Sequence, residues 1–517
     1  MAGRKYHIST TRRKYISMKS NSKSEFYTDK YMHRVYEDAP GLERINNTFN
    51  SMSIDEYLMY IKETYIDNGS FTLDKDIEEA ITEYATDIIG YDNTMACIDV
   101  LRKIPLLHTA DHHTVNFHAM TLQSNLLYER LLNMCIDTNI IPILSCNNID
   151  MSNAFYPRGI IIYDTNTSRP VEIPIFPYKM RKVSISHAKP YTRDMLDRTV
   201  STLDKHKTNG SINSDIYNTT LEIIEKVYSN SDVLACNRYG KQIILANSLL
   251  SQKYHIDKNV THIFLELEEI AMRLICHDLC DDNSILNKML WNKAILESLR
   301  KNLDGVSGCW NSMNGGTFLF WGIDDKGRRY RLFVERDNLP GLQMHNLVLI
   351  GKDLDDNTHR FELNRETLVS ALDSRELLPG LFMTFFTLGI VRHTCLIGGC
   401  YQGEYLTKMC DGIKKSWTDN QSFIDEDVSE FLSALDEKKF PYICGSLYLI
   451  GTNNGTYYPY GSVEMWNSPC NTTGFNEAVN ISFNRAQKLG LYCFYPDSVP
   501  PSLREDNWWE NICKELF

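Results

Sequence analysis

The chain has 517 residues, 43% of them hydrophobic and 23% charged, with a formal net charge of −12. That composition belongs to a folded globular protein long enough for several domains, and its acidic balance argues against general nucleic-acid affinity through bulk charge. Fourteen cysteines without framework spacing or a CxxC pair, and no signal peptide, lead to the expectation of reduced thiols in the cytoplasm.

Residues 1–50 read as a basic, partly disordered arm carrying Arg4, Lys5, Arg12, Arg13, Lys14, Lys19, Lys23 and Lys30 among few apolar neighbours. Nucleic acid, if bound at all, would meet this arm. Residues 51–304 read as an N-terminal α/β region. Ser53 stands as an N-cap before Asp55 and Glu56. Helices are expected over Asp76–Ile89, stopped by Gly90, and over Thr94–Lys103. Ile104–Leu107 then reads as a buried strand, and Met120, Leu127, Leu131 and Met134 repeat at helical spacing.

Further strands are expected at Ile140–Leu144, Gly159–Tyr163 and Val171–Ile175, with a polar loop over 145–153 after the first. The polar stretch Ser201–Asp215, with Asn209-Gly210, reads as a surface loop or linker. Helices dominate from Ser214 to Leu303. Residues 305–517 read as a C-terminal mixed region, opening with a hairpin around Asp324-Asp325-Lys326-Gly327. The longest apolar run, Leu377 to Val391, is interrupted by Pro379 and Gly380. A bilayer span takes about 20 apolar residues, so a buried core helix starting at Pro379 is expected instead. The fold class is therefore α+β or α/β, a mixed sheet flanked by helices.

The densest chemistry lies between the strand at 104–107 and the next helix, where His108, Asp111, His112, His113 and His118 fall in one loop's reach. Loops at the carboxyl end of a strand are where α/β sheets bind ligands. Imidazole and carboxylate are the usual ligands of zinc, iron or manganese, so these five residues form a candidate metal set. Without a metal, His112 or His113, oriented by Asp111, would serve as general base in acyl or amide transfer or hydrolysis.

The triplet Asp111-His112-His113 after an apolar strand also resembles the signature of the DHH phosphoesterases, which would imply phosphoester hydrolysis. The resemblance covers those three residues. No DxD stands on a strand upstream of Asp111, and Gly398-Gly399 lacks the adjoining histidine of that family's glycine-rich motif.

Two other places complete the expected site. Gly398-Gly399 between a strand and a helix, followed by Gln402 and Glu404, would let an anion or cofactor approach backbone N–H groups. Arg158, leading into a strand, would clamp a substrate carboxylate. The expectation is a cytoplasmic enzyme acting on a small anionic metabolite, with the 108–118 cluster facing the Gly398 loop. No membrane partner is expected, and self-association is compatible with the chain. A non-catalytic ligand-binding or scaffold protein is the reading from another class.

Overall fold

The structure is a computed structural model that describes residues 26–68, 71–255, 258–311, 316–335, 347–438, 440–444, 446–453, 456–469 and 471–517. In chain order the first strands are β1 (Leu106–His108), β2 (Asp111–His112), β3 (Ile140–Cys146), β4 (Gly159–Tyr163), β5 (Pro170–Pro174) and β6 (Thr261–Glu266). Then come β7 (Phe320–Ile323), β8 (Arg329–Arg331), β9 (Phe333–Val334), β10 (Val348–Lys352), β11 (Thr358–Glu362) and β12 (Leu377–Pro379). Last are β13 (Cys395–Gly399), β14 (Tyr442–Cys444), β15 (Ile450–Asn453) and β16 (Thr456–Pro459).

The organising strands are parallel. β1 pairs with β13 and β13 with β14, while β2 pairs with β3 and β3 with β6. These are two three-stranded parallel sheets, β14-β13-β1 and β2-β3-β6, adjoined where β1 and β2 follow each other along the chain. The order reverses between β1 and β13, which makes a topological switch point there. Antiparallel ribbons (β4–β5, β7–β8 with β12, β9–β10–β11 and β15–β16) surround it. The fold is thus mixed α and β, as the periodicities predict.

Both faces of the parallel sheet are buried, the condition under which strands become near-continuous apolar runs. Leu107, Leu144, Ile263, Leu265 and Leu396 enter one core cluster, and Leu106, Ile141, Ile143, Phe264 and Ile397 the other. Each such side chain contributes about 1.5–3 kcal/mol by leaving water. Helix Ala119–Asn133 is buried nearly all round, polar residues included. Its Gln123 side chain accepts from Tyr448 and Leu449 N–H groups and donates to the Leu449 and Tyr460 carbonyls. The ribbon at β15–β16 is docked by those bonds.

Several expectations change in the folded chain. Residues 1–25 of the arm lie outside the described residues, but Phe26–Asp38 and Pro40–Phe49 are helices. Tyr31, Met32, Val35 and Leu42 are buried in a cluster with Tyr492, Tyr495, Trp509 and Ile512 of the C-terminal helices. The apolar spacing within the basic stretch outweighs its charge. The stretch from 201 to 208 is not a loop: it finishes helix Arg193–Thr208, whose Leu196, Thr199 and Leu203 point inward, and the turn comes at Asn209-Gly210. Leu377–Pro379 is a strand hydrogen-bonded to β7 rather than a helix start. The helical part of that run is Leu381–Phe385, continued by a wider turn to Ile390. A division at residue 304/305 does not divide the sheet, since β1 and β13 come from opposite sides of it. Among the described residues no helix is long and apolar enough to cross a membrane.

The carboxyl end of β6 is held by ionic contacts. Glu266 is 0% exposed and accepts hydrogen bonds from Arg238 at 2.6 Å, the Tyr84 hydroxyl at 2.7 Å and Asn147 Nδ2 at 3.0 Å. Its carboxylate lies where a Cβ on Gly240 would sit, 2.1 Å from Oε1, so only glycine lets the Tyr239–Ser251 helix approach so closely. Burial alone would raise the Glu266 pKa, but the Arg238 charge and these donors outweigh it and hold it near 2. At the amino end of the same strand, Glu129 Oε2 lies 2.9 Å from His255 Nε2 and 3.0 Å from His262 Nε2. Burial opposes ionisation there too, and the two imidazoles bring the Glu129 value down to about 2.

Two outcomes follow for stability. Arg238→Met leaves Glu266 charged and unpaired in the interior and should cost about 3–5 kcal/mol in urea denaturation, the range for breaking a buried pair. Both carboxylates have folded values below their unfolded one of 4.5. Their stabilisation is therefore fully present above that value and is lost as pH falls toward about 2. The urea midpoint of the wild type should drop through that window.

Candidate active site

Strand register decides where the cluster's side chains go. Asp111 is opposite Ser145 and His112 opposite Cys146 on adjacent parallel strands, and successive side chains of a strand alternate faces. Asp111 and Ser145 therefore share one face, His112 and Cys146 the other. On the first face the Asp111 carboxylate accepts from Ser145 Oγ at 2.5 Å and Asn125 Nδ2 at 3.0 Å. Burial raises its pKa to about 6 against those two hydrogen bonds. Asp111 thus ties β2, β3 and helix Ala119–Asn133 together, and it does not orient a histidine.

The other histidines also find separate partners. His108 Nδ1 accepts the Ala110 N–H at 3.3 Å, and its ring meets Tyr128 edge-on at 4.8 Å. His113 donates from Nε2 to the Gly240 carbonyl at 2.9 Å. His118 packs on Phe155 at 4.3 Å, and His112 packs on the same ring at 4.1 Å. Burial lowers the His108 and His118 pKa values to about 3, and lowers that of His113 as well. The five expected metal ligands therefore do not converge. The three residues that resemble the DHH signature point to three different sets of partners.

Among the described residues, the group whose donor atoms do close to within 4.8 Å of one another is Asp76, His277 and Asp278. Arg392, 5% exposed, already lies there, 3.1 Å from Asp76 and 2.7 Å from Asp278. The guanidinium supplies the positive charge that a metal would bring, so as a metal site this group is weak.

Gly398 and Gly399 are the last two residues of strand β13 rather than part of an open loop. A Cβ on Gly398 would fall 1.5 Å from Gln402 Oε1, which instead accepts from Thr109 Oγ1 at 2.9 Å. Gln402 thus fills the crevice at the switch point. Glu404 is paired with Lys408 at 2.7 Å and Arg44 at 3.5 Å, and it caps the Gly41 backbone. Arg158 lies near the rings of Tyr156 and Tyr178, 5.2 and 5.5 Å from their centroids, and its Nη1 donates to the Phe176 carbonyl at 3.4 Å. None of these residues lines the cavity that His112 faces.

That cavity, about 490 Å³, opens at the carboxyl ends of β2 and β3 and is walled by residues 305–311, Gly316, Thr317 and β7–β8. His112, Cys146, Asn148, Trp310, Trp321 and Arg329 line it. Arg329 is stacked over Trp321 at 4.8 Å and donates to Asn148 Oδ1 at 2.7 Å, while Asn148 donates to the Pro379 carbonyl at 2.7 Å. Its guanidinium plane is therefore fixed before any ligand arrives. Burial lowers its pKa, and the Asp150 carboxylate lies 3.9 Å away.

Asn153 sets the state of His112. Its Oδ1 accepts the Phe155 N–H at 3.1 Å, which identifies that atom as the oxygen, and it lies 3.3 Å from His112 Nδ1. The proton must then sit on Nδ1, leaving a lone pair on Nε2. Burial lowers the His112 pKa to about 4, so the ring is neutral at physiological pH. The site combines a neutral base, a thiol, a fixed cation and an indole wall.

Sequence reasoning found His112 and missed Cys146, Asn148, Asn153, Arg329 and the two tryptophans. The strand-end rule that drew attention to 108–118 applies equally to 145–153, where it would have found three of them. Arg329 carries no local signal. No protein-family model matches the chain, and no curated protein matches it significantly.

The two faces of β2 should respond differently to mutation. His113→Ala strands a buried carbonyl and should cost about 1–3 kcal/mol. His112→Ala should cost less than about 1 kcal/mol, because it removes a cavity-facing ring. Paired urea titrations measure both.

Proposed function

We propose that the protein is an enzyme acting on a small anionic metabolite in the cavity beside His112. The observation that carries this reading is the pairing of a fixed Arg329 guanidinium with a neutral imidazole in one cavity at the carboxyl edge of a parallel sheet. Such edges are where α/β folds place ligands. An anionic group would sit against Arg329, where low dielectric strengthens the charge-assisted hydrogen bonds. A planar or apolar portion would lie between Trp310 and Trp321. His112 Nε2 would then take a proton from the substrate or from water, with Asn153 holding the tautomer and the ring. This is the metal-free version of the chemistry expected from the sequence, with Asn153 in the role there given to Asp111. The described cysteines are all free thiols, which supports a cytoplasmic setting.

A thermal-shift panel of small mono- and dicarboxylates, aromatic ones included, tests the binding half. At least one should stabilise the wild type, and Arg329→Gln should weaken it by about tenfold or more, the loss of a charge-assisted contact. A panel that stabilises neither protein defeats the anion-site reading. In turnover, His112→Gln should lower kcat by about 10²–10⁴, the usual worth of a general base. The acid limb of the wild-type rate should fall as His112 gains a proton near pH 4.

A further inference from the structure

Cys146 is in contact with a second titratable group that the preceding reading leaves idle. Its Sγ lines the cavity and donates at 3.1 Å to Oε1 of Glu268, at the start of helix Leu267–Cys280. Glu268 is 1% exposed, and its other oxygen accepts the Asn147 N–H at 2.7 Å. The carboxylate is thus locked beneath the thiol by the backbone that follows β3. On the thiol's other side His112 stands on the adjacent strand, in register with it, and neighbouring parallel strands run about 4.8 Å apart. Arg329 completes the ring of groups around the same space.

We propose that Cys146 is the nucleophile of an acyl-transfer reaction on a carboxylate-bearing ester, thioester or amide, with Glu268 taking the thiol proton and His112 activating the water that releases the acyl group. This rests on the reading of the cavity as an anionic-substrate site.

The two half-reactions balance. As Sγ bonds to the acyl carbon, its proton passes to Glu268 Oε1, and the bond to the leaving group breaks. That group departs with the proton returned by Glu268. Water then adds to the thioester and gives a proton to His112 Nε2, the C–S bond breaks, and His112 delivers that proton to Sγ. The net change is hydrolysis, with thiol, carboxylate and imidazole restored.

Burial and then the Glu268 charge push the thiol's pKa well up, so little free thiolate exists before attack. Transfer must accompany bond formation, and that calls for an acceptor in contact whose pKa matches the working pH. Burial raises Glu268 to about 7, against the backbone donors that would lower it, which supplies that match.

The test uses the full chain and an anionic aryl ester, the mono-p-nitrophenyl ester of succinate. Wild type should release p-nitrophenol and carry a succinyl group on Cys146, found by peptide mass mapping and removed by hydroxylamine. His112→Gln should keep the first acylation and accumulate the adduct, because only the second half-reaction needs His112. Glu268→Gln, which keeps a hydrogen-bonding amide in place, should slow acylation by about 100-fold. The wild-type acylation rate should rise as Glu268 ionises and flatten above about pH 7.

Labelling wild type with iodoacetate and iodoacetamide checks the thiol without any variant. At Cys146 iodoacetate should react faster than iodoacetamide, because Arg329 attracts its carboxylate, the reverse of their order at the exposed Cys280. If neither the ester nor iodoacetate marks Cys146, or if Glu268→Gln acylates at the wild-type rate, the nucleophile assignment is overturned. If Cys146 is acylated in a Glu268-dependent way but iodoacetamide outpaces iodoacetate and Arg329→Gln changes nothing, the nucleophile stands. The anion-site reading alone then fails.

Discussion

The fully buried carboxylate of Glu266 is the constraint on which the rest of the architecture depends. An ionised carboxylate withdrawn from water is costly unless it is paired and its lone pairs are satisfied. Arg238, Tyr84 and Asn147 meet that requirement from three separate parts of the chain. Meeting it fixes the distance between the Tyr239–Ser251 helix and β6, sets helix Lys75–Ile89 against the sheet, and pins the first loop residue after β3. Glu268 and Glu269 extend the same logic along the helix start, the former to the loop backbone and the latter to Arg238 and Arg375.

The cavity chemistry is a consequence of that pinning together with strand alternation. With β2 and β3 paired at Asp111–Ser145 and His112–Cys146, alternate residues must divide between the two faces of the sheet. Asp111 joins the interior beneath helix Ala119–Asn133 and becomes a structural tie. His112 joins the space left by the C-terminal region. A slip of one residue would exchange those roles, and it would break the bonds that the buried Asp111 carboxylate makes to Ser145 and Asn125.

The dispersal of the histidine cluster has the same origin. Consecutive residues at the end of a strand cannot all converge, because each is committed to a face by its backbone before any ligand is considered. His113 is drawn to the Gly240 carbonyl and His108 to the Tyr128 ring, while His112 and His118 share Phe155. A density of imidazoles in one dimension became three environments in space. The acidic group around Arg392 is the complementary case: residues 76, 278 and 392 are distant in sequence, yet one guanidinium comes to lie against two carboxylates.

What the sequence alone determined was local. The Ser53 N-cap, the stop at Gly90, and the apolar strands at 140–144 and 159–163 are all written in short-range spacing. So was the prominence of the strand end at His112. Only the tertiary structure decided that residues 26–49 pack rather than dangle, that one sheet joins β1 to β13, and that Arg329 arrives opposite Cys146. These depend on contacts between residues tens to hundreds of positions apart, whose energy comes from burial and charge pairing in the finished core. No local propensity carries that information, because the partner that gives each side chain its role is present only once the chain has closed around it.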